Sequence, residues 1–302
     1  MGNQLSQVFL HAVPNATAHF MGAFTMNNAN NYSLEVTGGG SDGHYIVEEG
    51  ALRLNGDGAT EDGLVKSLLS EALLHLDASD ASTFEFQDGS GTAVTNWLDV
   101  RKDGRSAWLP HWVGVGADRV QQANPPFLSD EKSPTGLQYL DFGSCFKADT
   151  EPLYGPTNCC LEFAPISNGA EVFCVFRYHE PFGMNALLGD YNLAPMQPYG
   201  GAIFGGSANE NLSTGHIYLD GKLVKGTDSP ADGLADRVHV MSFGPATNLE
   251  VRTIGIDQRV SARCGGMLFG EILIFTNELS RADRLRINGY LRRKWVIGGA
   301  DQ

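Results

Sequence analysis

The sequence predicts a mainly β protein, and three observations carry that expectation. Glycine is abundant, 37 of 302 residues, which suits many tight turns between short strands. Short runs of alternating or wholly apolar residues recur along the chain, divided by clusters of Asn, Asp, Gly and Pro. Helical periodicity is confined to two segments, one at 61–74 and one following Ser280. A hydrophobic content of 42% supplies enough material for a packed core.

Taken in order, residues 1–61 form an N-terminal β-rich element. Its alternating runs fall at 18–26, 32–36, 44–47 and 51–54, separated by Asn-Asn, Gly-Gly-Gly and Asn-Gly-Asp-Gly clusters. The phrase YIVEEGALRLNGDG (45–58) resembles a single rung of the β-solenoid stalks of large secreted bacterial proteins. Such architectures need about three rungs, so the element reads as a separate piece or as the end of a longer array. Residues 62–302 form the main domain. Its first segment places apolar residues at 64, 65, 68, 69, 72 and 73, one face of a short helix. Strand signals follow at 84–86, 137–142, 171–178, 216–219, 248–254 and 267–275, with a hairpin turning on Asp220 and Gly221. Long Gly- and Pro-rich loops are expected at 106–136, 181–206 and 226–234.

The chain closes with a helix. Ser280 and Asp283 make a capping-box-like start, and an acid in the first turn suits the helix dipole. Ala282, Leu285 and Leu291 are its apolar positions, with Tyr290 and Trp295 as large anchors. Arg281, Arg284, Arg286, Arg292, Arg293 and Lys294 crowd this segment, and they read as a solvated face neutralising an acidic β body.

Charge and composition exclude several function classes. Lys plus Arg total 21 against 35 for Asp plus Glu, a net charge of −14 that repels phosphate backbones, so nucleic acid is not an expected partner. No stretch approaches the roughly 18 apolar residues of a membrane-spanning helix. The first twenty residues lack the basic n-region and apolar core of a signal peptide. The five cysteines (145, 159, 160, 174, 264) are odd in number and contain no Cys-x-x-Cys pair. They read as small buried hydrophobes with at most one disulfide, not as a closed zinc site.

Two phrases carry a family resemblance. LLHLDASDASTFEFQDGSGTAVTNWLDVRKDGRSA (73–107) resembles the opening of a concanavalin A-like, laminin-G-like domain, and GEILIFTNELSRADRLRINGYLRRKW (270–295) is similar to its ending. The resemblance runs from about Leu73 to Trp295. It implies a two-sheet antiparallel jelly-roll sandwich with a short C-terminal helix, an inward Glu271 on the last strand, and Trp97 and Trp295 as buried anchors. Domains of this kind sit in exported or cell-surface bacterial proteins, where they bind glycans or proteins or act as spacers. Extracellular or cell-surface placement is therefore the expectation.

The residues select among these roles. Glycoside hydrolysis asks for carboxylates alternating on one strand about 5 Å apart, and GEILIF offers Glu271 alone. GGSDG (39–43) spells Gly-x-Ser-x-Gly but sits in a glycine turn with no following helix. No enzymatic constellation emerges, so the expectation is a non-catalytic module. Glycan binding needs aromatic faces and hydrogen-bonding side chains, which the long loops supply in Trp108, His111, Trp112, Tyr191, Tyr199 and Asn209. Calcium is the expected ion, in a structural role, with Asp77, Asp80, Asp99 and Asp103 as candidate ligands. Asp77 and Asp99 read equally well as caps on backbone N–H groups. The competing role is a spacer or assembly subunit, with self-association through the N-terminal β element.

Overall fold

A computed structural model of the chain describes residues 33–37, 51–55, 61–89, 91–101, 103–110, 113–114, 120–121, 123–144, 159–179, 187–189, 216–225, 234–246, 249–256 and 265–297. The chain divides into two units, Met1–Ser67 and Leu68–Gln302. The boundary falls inside helix α1 (Glu61–Glu71), a few residues beyond the expected limit at 61.

In the first unit, strands β1 (Ser33–Thr37) and β2 (Ala51–Asn55) pair in parallel. The register runs without interruption from Ser33 opposite Ala51 to Thr37 opposite Asn55. Two of the four expected N-terminal runs are these strands; the runs at 18–26 and 44–47 lie outside the described residues.

The second unit opens with β3 (Leu74–Asp77). The periodicity extends the helix to 74, but α1 ends at Glu71 and the Leu73 N–H donates to the Ile274 carbonyl at 2.7 Å. Sheet pairing wins there because Leu74, His75, Leu76 and Asp77 also alternate. The strands that follow are β4 (Phe84–Phe86), β5 (Val94–Leu98), β6 (Ser106–Trp108), β7 (Val113–Gly114), β8 (Val120–Gln121), β9 (Phe127–Lys132) and β10 (Gln138–Asp141). Next come β11 (Leu161–Gly169), β12 (Glu171–Tyr178), β13 (Leu188–Gly189), β14 (His216–Leu219) and β15 (Lys222–Val224). β16 (His239–Gly244), β17 (Leu249–Ile254), β18 (Met267–Phe275) and helix α2 (Arg281–Trp295) complete the unit. The segment 106–136, expected as loop, thus holds four strands. They are short or, like β9 with its Ser-Asp-Glu-Lys ending, carry the charges typical of a sheet edge, so local pattern hides them.

β7 and β8 pair with each other, and the other strands of this unit make two larger antiparallel sheets. The first has the order β15-β14-β16-β12-β18-β10-β9, and β3 adds beside β18. β18 pairs along one edge with β12, while its other edge is shared by β10 and then β3. The second sheet has the order β13-β17-β11-β6-β5-β4.

Period-2 alternation explains how the sheets pack. Along β12, Val172, Cys174, Phe176 and Tyr178 join a core with Trp97, Phe84, Leu161, Phe163 and Val251 of the second sheet. The intervening Phe173 and Val175 face the other way and pack with Leu273, Phe275, Ile287, Leu291 and Trp295 beneath α2. The first sheet is therefore covered on both faces, which is why β12 and β18 read as nearly continuous apolar runs. Trp97 and Trp295 are buried, as the resemblance implies, at 0% and 1% exposure.

Helix α2 begins as expected, with Ser280 Oγ accepting from the Asp283 N–H at 3.1 Å. Its buried face differs from expectation: Arg284, Ile287, Asn288, Leu291 and Trp295 turn inward, while Ala282 and Leu285 are only partly covered. Arg284 can be buried because Glu171 meets its guanidinium through two hydrogen bonds, one of them 2.9 Å to Nε. Asn288 is held by Ser242 Oγ at 2.9 Å.

Candidate functional site

Two constellations concentrate the chemistry of the second unit, one exposed and one buried.

The exposed one lies on the outward face of the second sheet. Alternation buries Phe84, Trp97, Ala107 and Phe163, so their neighbours point away from the core. Directly opposed residues share a face, and the registers place Glu85 opposite Asn96, Asn96 opposite Trp108, Trp108 opposite Glu162, and Glu162 opposite Thr253. The result is one row across β4, β5, β6, β11 and β17 with a tryptophan at its middle. Trp108 is 36% exposed. Its neighbours are held by one another: the Asn96 amide donates to Glu85, and Arg252 donates to Glu162 Oε1 at 3.3 Å. The arrangement offers a flat aromatic face flanked by an amide, two carboxylates and a guanidinium.

Of the aromatic and polar residues expected at a ligand site, Trp108 is placed here. His111, Trp112, Tyr191, Tyr199 and Asn209 lie outside the described residues. Asn96, Glu85, Glu162 and Arg252 escaped the sequence reading. The signal available for the first was its alternation with the buried Trp97, which turns Asn96 outward once 94–98 is read as a strand.

The buried constellation sits between the first sheet and α2. Leu74 and Leu76 face the sandwich core, so His75 and Asp77 face the helix. β3 and β18 bring Asp77 directly opposite Glu271. Opposed carboxylates repel, and Lys294 resolves the conflict. Its Nζ lies 2.5 Å from Asp77 Oδ2 and 2.7 Å from Glu271 Oε2. Glu271 also accepts from His75 Nε2 at 2.8 Å and from Trp295 Nε1 at 2.9 Å. Asp77 Oδ1 accepts from the Ser79 N–H at 2.9 Å and Oγ at 2.6 Å. Glu271 is thus buried, at 1% exposure, on the helix side of the first sheet.

Burial alone would raise the Glu271 carboxyl, but the His75 hydrogen bond and the Lys294 charge hold it below the ordinary carboxylate range. Burial would lower Lys294, yet the Glu271 and Asp77 carboxylates keep its ammonium above the usual lysine range. Asp99, likewise pushed up by burial, is held low by the Arg101 guanidinium and by the His75 and Arg101 N–H groups.

The four acids expected as calcium ligands are engaged by groups of the protein, and two of them, Asp99 and Asp103, share Arg101, at 2.8 and 3.7 Å. Asp77 joins the Lys294 network, and Asp80 caps the turn at Ala81–Thr83 through the Ser82 N–H at 3.0 Å. Asp99 accepts from the His75 and Arg101 N–H groups at 2.8 and 2.9 Å, and Asp103 pairs with Arg105 at 3.0 Å. Among the described residues, the one group of three metal-ligand types within 4.8 Å is His75, Asp77 and Glu271. There the Lys294 ammonium bridges the Asp77 and Glu271 carboxylates.

The cluster sets a pH dependence. Glu271 and Asp99 have depressed folded values, so their stabilisation is complete above the unfolded carboxylate range and is lost as pH falls through the folded values. Lys294 is raised, so its contribution is complete below the unfolded lysine value and is lost as pH rises through the folded one. The melting temperature is expected to hold a plateau between about pH 5 and about pH 10 and to fall on both sides. Lys294→Met should make the alkaline decline shallower, the buried Tyr139 and Tyr290 hydroxyls, both pushed up by burial, supplying part of what remains; an unchanged alkaline limb in that variant would refute the assignment.

No protein-family model, curated protein or solved structure matches the chain.

Proposed function

We propose that the second unit is a non-catalytic, concanavalin A-like jelly-roll module that binds glycan or a cell-surface polymer in the manner of a lectin, within an exported bacterial protein. The observation that carries this reading is the outward row centred on Trp108. A sugar ring presents a C–H face that stacks on an indole, while its hydroxyls take hydrogen bonds from amide, carboxylate and guanidinium groups. The row supplies both kinds of contact on one rigid sheet, with Asn96, Glu85, Glu162 and Arg252 beside the ring. α2 packs on the outer side of the other sheet, away from this row.

The test is a glycan-array screen followed by calorimetry on the full chain, in calcium and again in EDTA. Trp108→Ala is expected to weaken binding about 30-fold, the effect of truncating an aromatic hot spot; because the residue is only 36% exposed the variant also loses some packing, and a cooperative thermal transition verifies that it is folded. Equal binding by wild type and variant, or no binding to any glycan by the folded protein, would overturn the reading. Loss in EDTA alone would move the site to the acidic loops.

A second reading, a spacer or assembly subunit, draws on the parallel β1–β2 pair. Two strands alone are marginal in water, and an uninterrupted parallel register is what stacked coils of a solenoid use. Concentration-dependent self-association of the full chain in sedimentation experiments, without glycan binding, would favour it.

A further inference from the structure

We propose that the glycan taken by the outward row is an amine-bearing one, a de-N-acetylated β-1,4-linked hexosamine polymer whose ammonium groups are met at Glu85. The inference rests on the glycan reading and deepens it, because it assigns the chemical class of the ligand at the same face.

Charge along the row is lopsided. Glu162 is already neutralised, since Arg252 Nη2 lies 3.3 Å from its Oε1. Glu85 is not. Its side chain is exposed, and among the described residues it accepts from the Asn96 amide, a neutral group, and meets no cation. The row thus carries two carboxylates and one guanidinium, and the charge left over sits at its β4 end. A ligand covering that end takes the Glu85 carboxylate out of water, which costs free energy unless a donor replaces the lost hydration. A sugar hydroxyl returns an ordinary hydrogen bond. An ammonium returns a charge-assisted one, roughly twice as strong. An anionic sugar such as a uronic acid would bring like charges together instead.

Geometry and field point the same way. Glu85 stands two strands from Trp108, about 10 Å at the strand spacing of a sheet, with Asn96 between them. One ring of an extended polymer stacked on the indole therefore places its neighbour over Asn96 and Glu85. A β-1,4 linkage keeps the rings in a straight ribbon, which suits a row of directly opposed residues on a sheet. The indole face also attracts cations through its π-system. Beyond the row, the chain's net charge of −14 draws a polycation to the surface and raises the encounter rate. That long-range attraction does not select among polycations, so the discriminating group is the local carboxylate.

Calorimetry of the full chain at about pH 6, below the range in which free amines of the α-amino kind titrate, compares cellulose, chitin and chitosan hexasaccharides. The three share one linkage and differ at C2 alone, which carries a hydroxyl, an acetamide or an ammonium. The chitosan oligomer is expected to bind about tenfold more tightly than the other two at low salt, an advantage that shrinks as ionic strength rises. Glu85→Gln keeps an acceptor for the Asn96 amide but removes the charge, and is expected to abolish the tenfold preference. Trp108→Ala is expected to weaken all three. A cooperative thermal transition verifies that each variant is folded. Equal or tighter binding of the neutral oligomers, or binding confined to other glycans, would overturn this inference and leave the glycan reading standing. An amine preference that persists in Glu85→Gln would also overturn it, because net charge alone then draws the polymer. No binding to any glycan by the folded protein would overturn both.

Discussion

Trp295→Ala is expected to lower the unfolding free energy by about 4 kcal/mol, the range for removing a large buried aromatic side chain. The ring is 1% exposed and stacks on Tyr139 with centroids 5.1 Å apart and planes inclined at 25°. It also lies over Gly270, where an added Cβ would come within 3.0 Å of it, so strand and indole are fitted to each other. Removing it takes away packing and the N–H that reaches Glu271. The two contributions separate experimentally. Trp295→Phe keeps much of the packing and loses the donor, and is expected to cost about 1–2 kcal/mol. Urea denaturation followed by circular dichroism measures both. A loss under 1 kcal/mol for the alanine variant would show that α2 contributes little to the fold.

The second large effect belongs to Arg284 and Glu171. Arg284→Met leaves a carboxylate buried at 0% exposure without its guanidinium, a change that costs about 3–5 kcal/mol. The Leu279 N–H, at 3.4 Å, would still donate to it. The partner change tests the cause. In Glu171→Gln with Arg284→Met no charge is stranded, and the double variant is expected to regain more than half of the loss. Strictly additive single-site effects would mean that the residues contribute by packing and not by pairing. Gly244 belongs to the same arrangement, because any side chain there would collide with the Glu171 carboxylate.

How much of this is legible in the sequence depends on the range of each interaction. Strands such as Glu171–Tyr178 and Met267–Phe275 announce themselves as apolar runs bounded by turns, and the structure places them at those residues. β5, β6 and β11 do not. Their outward positions carry polar residues such as Asn96 and Glu162, β6 has three residues, and β11 contains Pro165 and two register shifts against β17. The exposed tryptophan at 108 is visible from composition of its segment; its neighbours are not. Asn96 and Glu162 come beside it through strand registers spanning 12 and 54 positions, which no local pattern encodes. The basic run of α2 shows the same limit. Arg284 and Lys294 are indistinguishable in sequence from the exposed Arg281 and Arg293, because what draws them inward is an acid more than a hundred or two hundred residues away. The short-range alternative for Asp77 and Asp99, acceptance from nearby N–H groups, is realised in the Ser79 and Arg101 contacts.

The meeting of β3 and α2 has a mechanical consequence. These are the first strand and the last helix of the second unit, and they touch at Asp77 and Lys294, both tied through Glu271 to the central strand β18. A pull on the two ends of this unit would therefore load a short route of three side chains and one strand, and the sheet bearing Trp108 would stay outside the line of tension.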